Sequence, residues 1–277
     1  MSAGREKVRR GRGATRSPAT QPNLTSYWDR SQWPLQSLYF LIPLLAGYTL
    51  GSVWLAGGGA ERLPAIFAED LLGRFFALAG VGHQSMYLPA ICLVVVLLCA
   101  HVARRDPWTP EPRLYLLMAA ESIVFALPLF VLSTLAAGMD EPPPLQALTP
   151  AAMTPPVAVG AAPGSFWEGV VFAIGAGLYE ELLFRFMLIA LLHLLLKNVL
   201  ALPQAVCDWS AVGLAAVAFA AYHFAGGAPF DASLFAFFTL AGLYLGVIFI
   251  TRGFGIVVAV HAIYDVLAVA THQRFGG

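Results

Sequence analysis

Seven stretches of this chain are apolar for long enough to cross a bilayer, a pattern that commits the chain to helices packed within a membrane. They cover residues 35–56, 87–102, 114–135, 166–196, 209–224, 232–250 and 254–270. A spanning helix needs about 20 predominantly apolar residues. Inside the hydrocarbon every backbone N–H and C=O must find its partner within the protein, and a helix provides that. Composition agrees. Of 277 residues, 58% are hydrophobic and 12% charged, with a mean hydropathy of +0.72, whereas soluble domains carry about 25% charged residues. The expected fold is all-α and polytopic, with about seven transmembrane helices around a buried polar cavity. Residues 61–78 mix Arg62, Glu69, Asp70 and Arg74 with Leu71, Leu72, Phe75 and Phe76. That pattern predicts an amphipathic helix lying in the interface; an eighth span is the alternative.

The loop charges orient the chain. Arg5, Lys7, Arg9, Arg10, Arg12, Arg16 and Arg30 precede the first apolar run. Arg104, Arg105 and Arg113 lie between the second and third runs, Lys197 between the fourth and fifth, and Arg252 between the sixth and seventh. The loops after the third and fifth runs hold Asp140, Glu141 and Asp231 and no cation. Cationic loops alternating with loops lacking cations predict a multi-pass protein of the cell membrane with a cytoplasmic N-terminus. Only the loop after the first run, with Arg62 and Arg74, departs from this alternation.

The chain divides into four parts. Residues 1–33 form a basic tail, expected to be disordered and to lie near anionic headgroups. Residues 34–139 hold the first membrane helices and the interfacial helix. Residues 140–165, with Pro142, Pro143 and Pro144 in a row, read as a linker. Residues 166–271 are a four-span block. The lipid bilayer is one expected partner; nucleic acid is not, since no binding fold is signalled. The three cysteines give no disulfide framework. Cys92 and Cys99 read as small core or lipid-facing residues, and Cys207 as a loop residue. The first run begins too late and is too long for a cleavable signal peptide.

Ionisable groups within a membrane helix cost roughly 2.5–3.5 kcal/mol by insertion scales, so they mark function or pairing. The fourth run contains Tyr179-Glu180-Glu181-Leu182-Leu183-Phe184-Arg185. Glu181 and Arg185 are i,i+4 and can pair directly, while Glu180 is turned by about 100° from Glu181. Arg185 is expected to hold Glu181 ionised as structural support, leaving Glu180 to face a cavity. The fifth run ends Phe219-Ala220-Ala221-Tyr222-His223, and the seventh carries His261 and Asp265 one turn apart. Two imidazoles and carboxylates from three helices can converge on one water as a general base, or on a metal. The bland reading of each is helix packing and mutual satisfaction of polar groups. Glu121, in the third run, reads as an accessory acid of the same cavity or a partner for an arginine. Glu168 suits a helix N-terminus, and His193, His83, His101 and His272 lie at span ends. Gly226 and Gly227 give the backbone freedom after His223. Tyr179 and Tyr222 lend hydroxyls or pack.

The ordered trio resembles the CPBP (CAAX protease and bacteriocin-processing, also called ABI) intramembrane proteases, which include the type II CAAX prenyl endopeptidases. That family shows Glu-Glu-x-x-x-Arg, then Phe-x-x-x-His, then His-x-x-x-Asn. Glu180, Glu181 and Arg185 match the first motif, Phe219 and His223 the second, and His261 the third, with Asp265 where Asn is usual. The resemblance covers roughly residues 166–271. It implies an intramembrane endopeptidase cutting a membrane-associated protein or peptide, with Glu180 and His223 activating water and His261 and Asp265 stabilising the oxyanion. It leaves the cofactor open between none and a divalent metal such as zinc. Glu180, His223 and His261 are the ligands if a metal binds, though the metal-free form is preferred here. Asn offers an NH₂ donor; an ionised Asp offers only acceptors. Asp265 is therefore expected to orient His261 through an Nδ1–H bond, leaving His261 as the oxyanion donor. The competing classes are a non-proteolytic scaffold or self-immunity protein that keeps the family fold, and a transporter using the same buried groups.

Overall fold

The computed structural model describes residues 26–57, 66–78, 88–137, 165–225 and 229–275, and these form helices and turns with no strand among them. Gly226, Gly227, His83 and the proline run at 142–144 lie outside the described residues. The helices are α1 (Tyr27–Ser31), α2 (Pro34–Gly57), α3 (Phe67–Leu78), α4 (Leu88–Arg104) and α5 (Pro112–Ala137). In the second half, α6 (Phe166–Glu181) runs through a π-helical segment (Leu182–Leu188) into α7 (Ile189–Asn198). It is followed by α8 (Gln204–Tyr222), α9 (Ala232–Arg252) and α10 (Phe254–Phe275).

Among the described helices, α2, α5, α8, α9 and α10 are each long and apolar enough to cross a membrane. The shorter α4 is apolar, and α6, the π segment and α7 form one continuous rod, so five of the seven expected spans meet that length and the other two regions are helical as well. Twelve-residue α3 is about 18 Å long, too short to span. It buries Ile66, Ala68 and Leu72 while Asp70 and Arg74 pair at 2.8 Å on its exposed side. The amphipathic reading holds over 67–78, and the eighth span does not form there.

Two departures have local causes. Cys207 is not in a loop: Pro203 starts α8 four residues earlier, and Cys207 is buried in its first turn. Tyr27–Ser31, read as the end of the tail, is a helix. Ser26 and Asp29 form a reciprocal capping box at its start.

The helices of the second half meet through small residues. A Cβ added at Gly177 of α6 would stand 2.9 Å from the Ala262 backbone of α10, and one at Gly242 of α9 would stand 2.9 Å from the Ala216 Cα of α8. Close approach of this kind drives helix association where no hydrophobic effect operates. Gly169 faces Val269, and Gly51 faces Val171, so α6 runs antiparallel to both α10 and α2.

One end of the bundle is tied by polar contacts. Arg30 of α1 pairs with Glu111, Gln32 donates to the Thr251 carbonyl at 2.9 Å, and Gln36 donates to the Thr109 carbonyl at 2.9 Å. Arg252, buried, forks onto Glu121 at 2.6 and 2.7 Å, and its guanidinium lies 3.7 Å from the Trp28 ring centroid. Tyr27 also donates to Glu121. Burial and that acceptor push the Tyr27 hydroxyl up to about 12, so it remains a donor. The junctions α1–α2, α4–α5 and α9–α10 therefore share one face, as the alternating loop charges require. Exposed Trp28, Trp108 and Trp209 belong to this end, and exposed Trp54 and Trp167 to the other. Two aromatic belts mark the two interfaces of a bilayer.

Gly242→Ala is expected to force α8 and α9 apart and cost about 1–3 kcal/mol, read as a lower thermal unfolding midpoint in detergent. Gly213→Ala, whose Cβ meets nothing within 4 Å, serves as the unchanged control.

Candidate active site

The rod formed by α6, the π segment and α7 places the acidic pair. Ser165 and Glu168 form a capping box that starts α6, which accounts for Glu168. Glu180 and Glu181 are its last residues, and the π segment begins at Leu182. A π turn within an α-helix recurs at functional sites because it offsets the side chains on either side of it. Arg185, inside that turn, pairs with Glu181 at 2.9 Å. Both side chains are fully buried. A buried ion pair carries a desolvation penalty. Here it is offset by the Phe219 ring, 4.3 Å from the guanidinium, and by the Gly242 carbonyl at 3.5 Å from Nη2.

Glu181 has a second task. Its Oε1 lies 2.6 Å from His261 Nδ1, so Nδ1–H donates to it. The expected Asp265 bond to Nδ1 does not form. Asp265 stands instead 3.5 Å from His261 Nε2, where Glu180 Oε2 also stands at 3.9 Å. The reason is geometric: i,i+4 on α10 brings Asp265 beside the outer edge of the ring, while α6 supplies the carboxylate on the inner edge. With Nδ1–H donated to Glu181, the outer Nε2 lies beside the carboxyl groups of Asp265 and Glu180.

His223 is the C-cap of α8, and its Nδ1 donates to the Phe219 carbonyl at 2.8 Å. That leaves Nε2 as its acceptor. The Phe238 ring of α9 stacks on the imidazole at 3.8 Å and 18°. Glu180 Oε1 accepts from the Tyr222 hydroxyl at 3.3 Å, and its buried Oε2 has no hydrogen-bond partner among the described residues. Glu180, His223, His261 and Asp265 line one cavity with Phe219, Phe238 and Tyr264. It offers about 20 Å³ to the centre of a water molecule, room for about one water. The six polar residues singled out in the sequence are therefore brought together. Residues 162–267, which contain all of them, match the family model described as Rce1-like, type II CAAX prenyl endopeptidase. This block is similar to the CAAX proteases. No curated protein and no solved structure matches the chain. The match starts just before α6 and ends within α10, so α1 to α5 lie outside it. The family implies endopeptidase activity within the membrane.

Glu121 is not an accessory acid of this cavity. It is held by Arg252 and Tyr27 at the end of the bundle, far along the chain from the residues it serves. Tyr179 turns away as well, packing edge-on against Tyr48 at 5.2 Å. His193 pairs with Asp208 at 2.9 Å, and His101 packs edge-on against Trp108 at 4.2 Å. Sequence reasoning missed Phe238. Nothing in an apolar run distinguishes the one phenylalanine that faces an imidazole on a neighbouring helix. As a metal site the set fits poorly. Among the described residues no three His, Cys, Asp or Glu side chains form a group able to hold an ion, and zinc takes at least three protein ligands.

Arg185→Met leaves the Glu181 carboxylate buried without its cation. The expected loss is about 3–5 kcal/mol of stability, measured by thermal or denaturant unfolding in detergent. Unfolding at the wild-type midpoint would contradict the structural role given to this pair.

Proposed function

We propose that this protein is an intramembrane endopeptidase of the glutamate type, hydrolysing a peptide bond in a membrane-associated protein or peptide. The observation that carries this is the pairing of an unpartnered, buried Glu180 Oε2 with the free Nε2 of His223 across a cavity sized for one water. Glu180 takes a proton from the water, and His223 Nε2 accepts its other hydrogen and fixes its position. The water oxygen attacks the peptide carbonyl. His261, charged and presenting Nε2–H to the cavity, stabilises the oxyanion together with its partner Asp265. Glu180 then returns its proton to the leaving amine. Glu181 and Arg185 act through His261, setting the ring plane and its charge. The aromatic and aliphatic walls (Phe237, Phe238, Leu129, Leu245) exclude bulk water, so these charges act at low effective dielectric. The shared end of α1, α4, α5, α9 and α10 is the cytoplasmic face in this reading, and the protein sits in the cell membrane.

The direct test is cleavage of membrane-tethered reporter peptides by purified wild type and Glu180→Gln, with and without a zinc chelator. Gln keeps the shape and removes the base. Cleavage by wild type that Glu180→Gln lacks at matched folding supports the assignment; equal cleavage by both overturns it. Chelator-insensitive cleavage supports the glutamate mechanism.

Asp265→Asn separates the two roles open to Asp265. Because Glu181 holds Nδ1, activity is expected within about tenfold of wild type. Near-complete loss would show that Asp265, not Glu181, sets the orientation of His261.

A further inference from the structure

The family match begins at residue 162, yet a helix well before it packs on the tyrosine that donates to the cavity's acid. α3 is seated by three contacts. Tyr48 of α2 donates to Glu69 Oε2 at 2.6 Å. Ile66, just before α3, packs on Gly175 of α6, where an added Cβ would collide with it and with Tyr48. The Phe67 ring lies 5.3 Å from the Tyr222 ring. The Ala68 backbone also interacts with the Tyr222 hydroxyl. On its other side the Tyr222 ring meets Phe184 of the π segment at 5.0 Å. Tyr222 is thus buried between α3 and the π segment, and its hydroxyl is aimed at Glu180 Oε1.

A carboxylate on a flexible side chain has two oxygens and a rotatable plane. One donor on Oε1 fixes that plane and leaves Oε2 to the cavity, where it has no partner. Among the described residues Tyr222 is the one hydrogen-bond donor recorded on Glu180. We infer that Tyr222 is a positioning residue for Glu180, and that α3, outside the family's matched segment, completes the active site by clamping Tyr222 in place. The inference rests on Glu180 acting as the base. It assigns α3 an indirect part in catalysis, exerted through Tyr222.

The test compares wild type, Glu180→Gln, Tyr222→Phe, Phe67→Leu and the Tyr222→Phe/Phe67→Leu double variant in detergent, using the reporter peptides above. Tyr222→Phe keeps the ring and its packing and removes only the hydroxyl. A hydrogen bond to a charged group is worth about 1.5–3 kcal/mol, so kcat is expected to fall roughly 10–100-fold with KM little changed. Phe67→Leu lowers kcat in the same sense, and the double variant is no slower than Tyr222→Phe alone, because Phe67 acts through the hydroxyl. A substrate-free readout runs beside it. The rate at which a hydrophobic carbodiimide modifies Glu180 is followed by mass spectrometry, with Asp265 as internal reference. The rate at Glu180 relative to Asp265 is expected to change severalfold in Tyr222→Phe. An inactive Glu180→Gln with a fully active Tyr222→Phe overturns the inference and leaves the proposed function standing. An active Glu180→Gln overturns the proposed function itself. An unchanged labelling ratio in Tyr222→Phe overturns the contact whatever the peptides show.

Discussion

The site depends on one buried electrostatic chain: Arg185 to Glu181 to His261. Its first link is 2.9 Å and its second 2.6 Å, and all three groups are shut away from lipid and solvent. Each link solves a problem the membrane creates. Arg185 supplies the charge that lets Glu181 exist in hydrocarbon, and Glu181 supplies the acceptor that fixes His261. The outer nitrogen of His261 then becomes a donor whose direction is set from below. Remove the guanidinium and Glu181 keeps only His261 to balance its charge in a buried site, so the pair that fixes the ring is weakened. The chain crosses from α6 to α10, two helices that approach closely at Gly177 and Ala262.

This arrangement explains a division of labour between neighbouring glutamates. Adjacent residues on a helix point about 100° apart. Glu181 faces α10 and the π segment, where its partners are. Glu180 faces the cavity, with its second oxygen left free. Two identical side chains thus receive opposite environments from nothing more than helical rotation. The π turn that follows them offsets Arg185 and Phe184, so that the first reaches Glu181 and the second reaches Tyr222.

Spacing along one helix was readable from the sequence; contacts between helices were not. The i,i+4 pairing of Glu181 with Arg185 and the run of apolar helices could be read directly, because both depend on local sequence. The partner of His261 Nδ1 could not. Asp265 is one turn away along α10, and the sequence offers it as the neighbour, but Glu181 arrives from another helix 80 residues earlier. For Glu121 the sequence left open a cavity acid or a partner for an arginine; the structure gives the second, through an arginine 131 residues away. The helix Tyr27–Ser31 did carry a signal, the Ser26–Asp29 capping box, hidden within a basic tail. For Tyr222 the sequence offered a hydroxyl or packing without naming an acceptor; Glu180 as that acceptor appears only when the helices are seen together.

A cavity with room for a single water holds no peptide. For a scissile bond to reach Glu180, the aromatic wall formed by Phe237 and Phe238 on α9 has to part from α8 and α10. Those helices are embedded in lipid, so opening them displaces acyl chains and does mechanical work against the lateral pressure of the bilayer. In the proposed reaction the activation free energy would therefore contain a term that belongs to the membrane rather than to the protein. Chain length, unsaturation and curvature of the surrounding lipids would then regulate turnover with no binding site of their own.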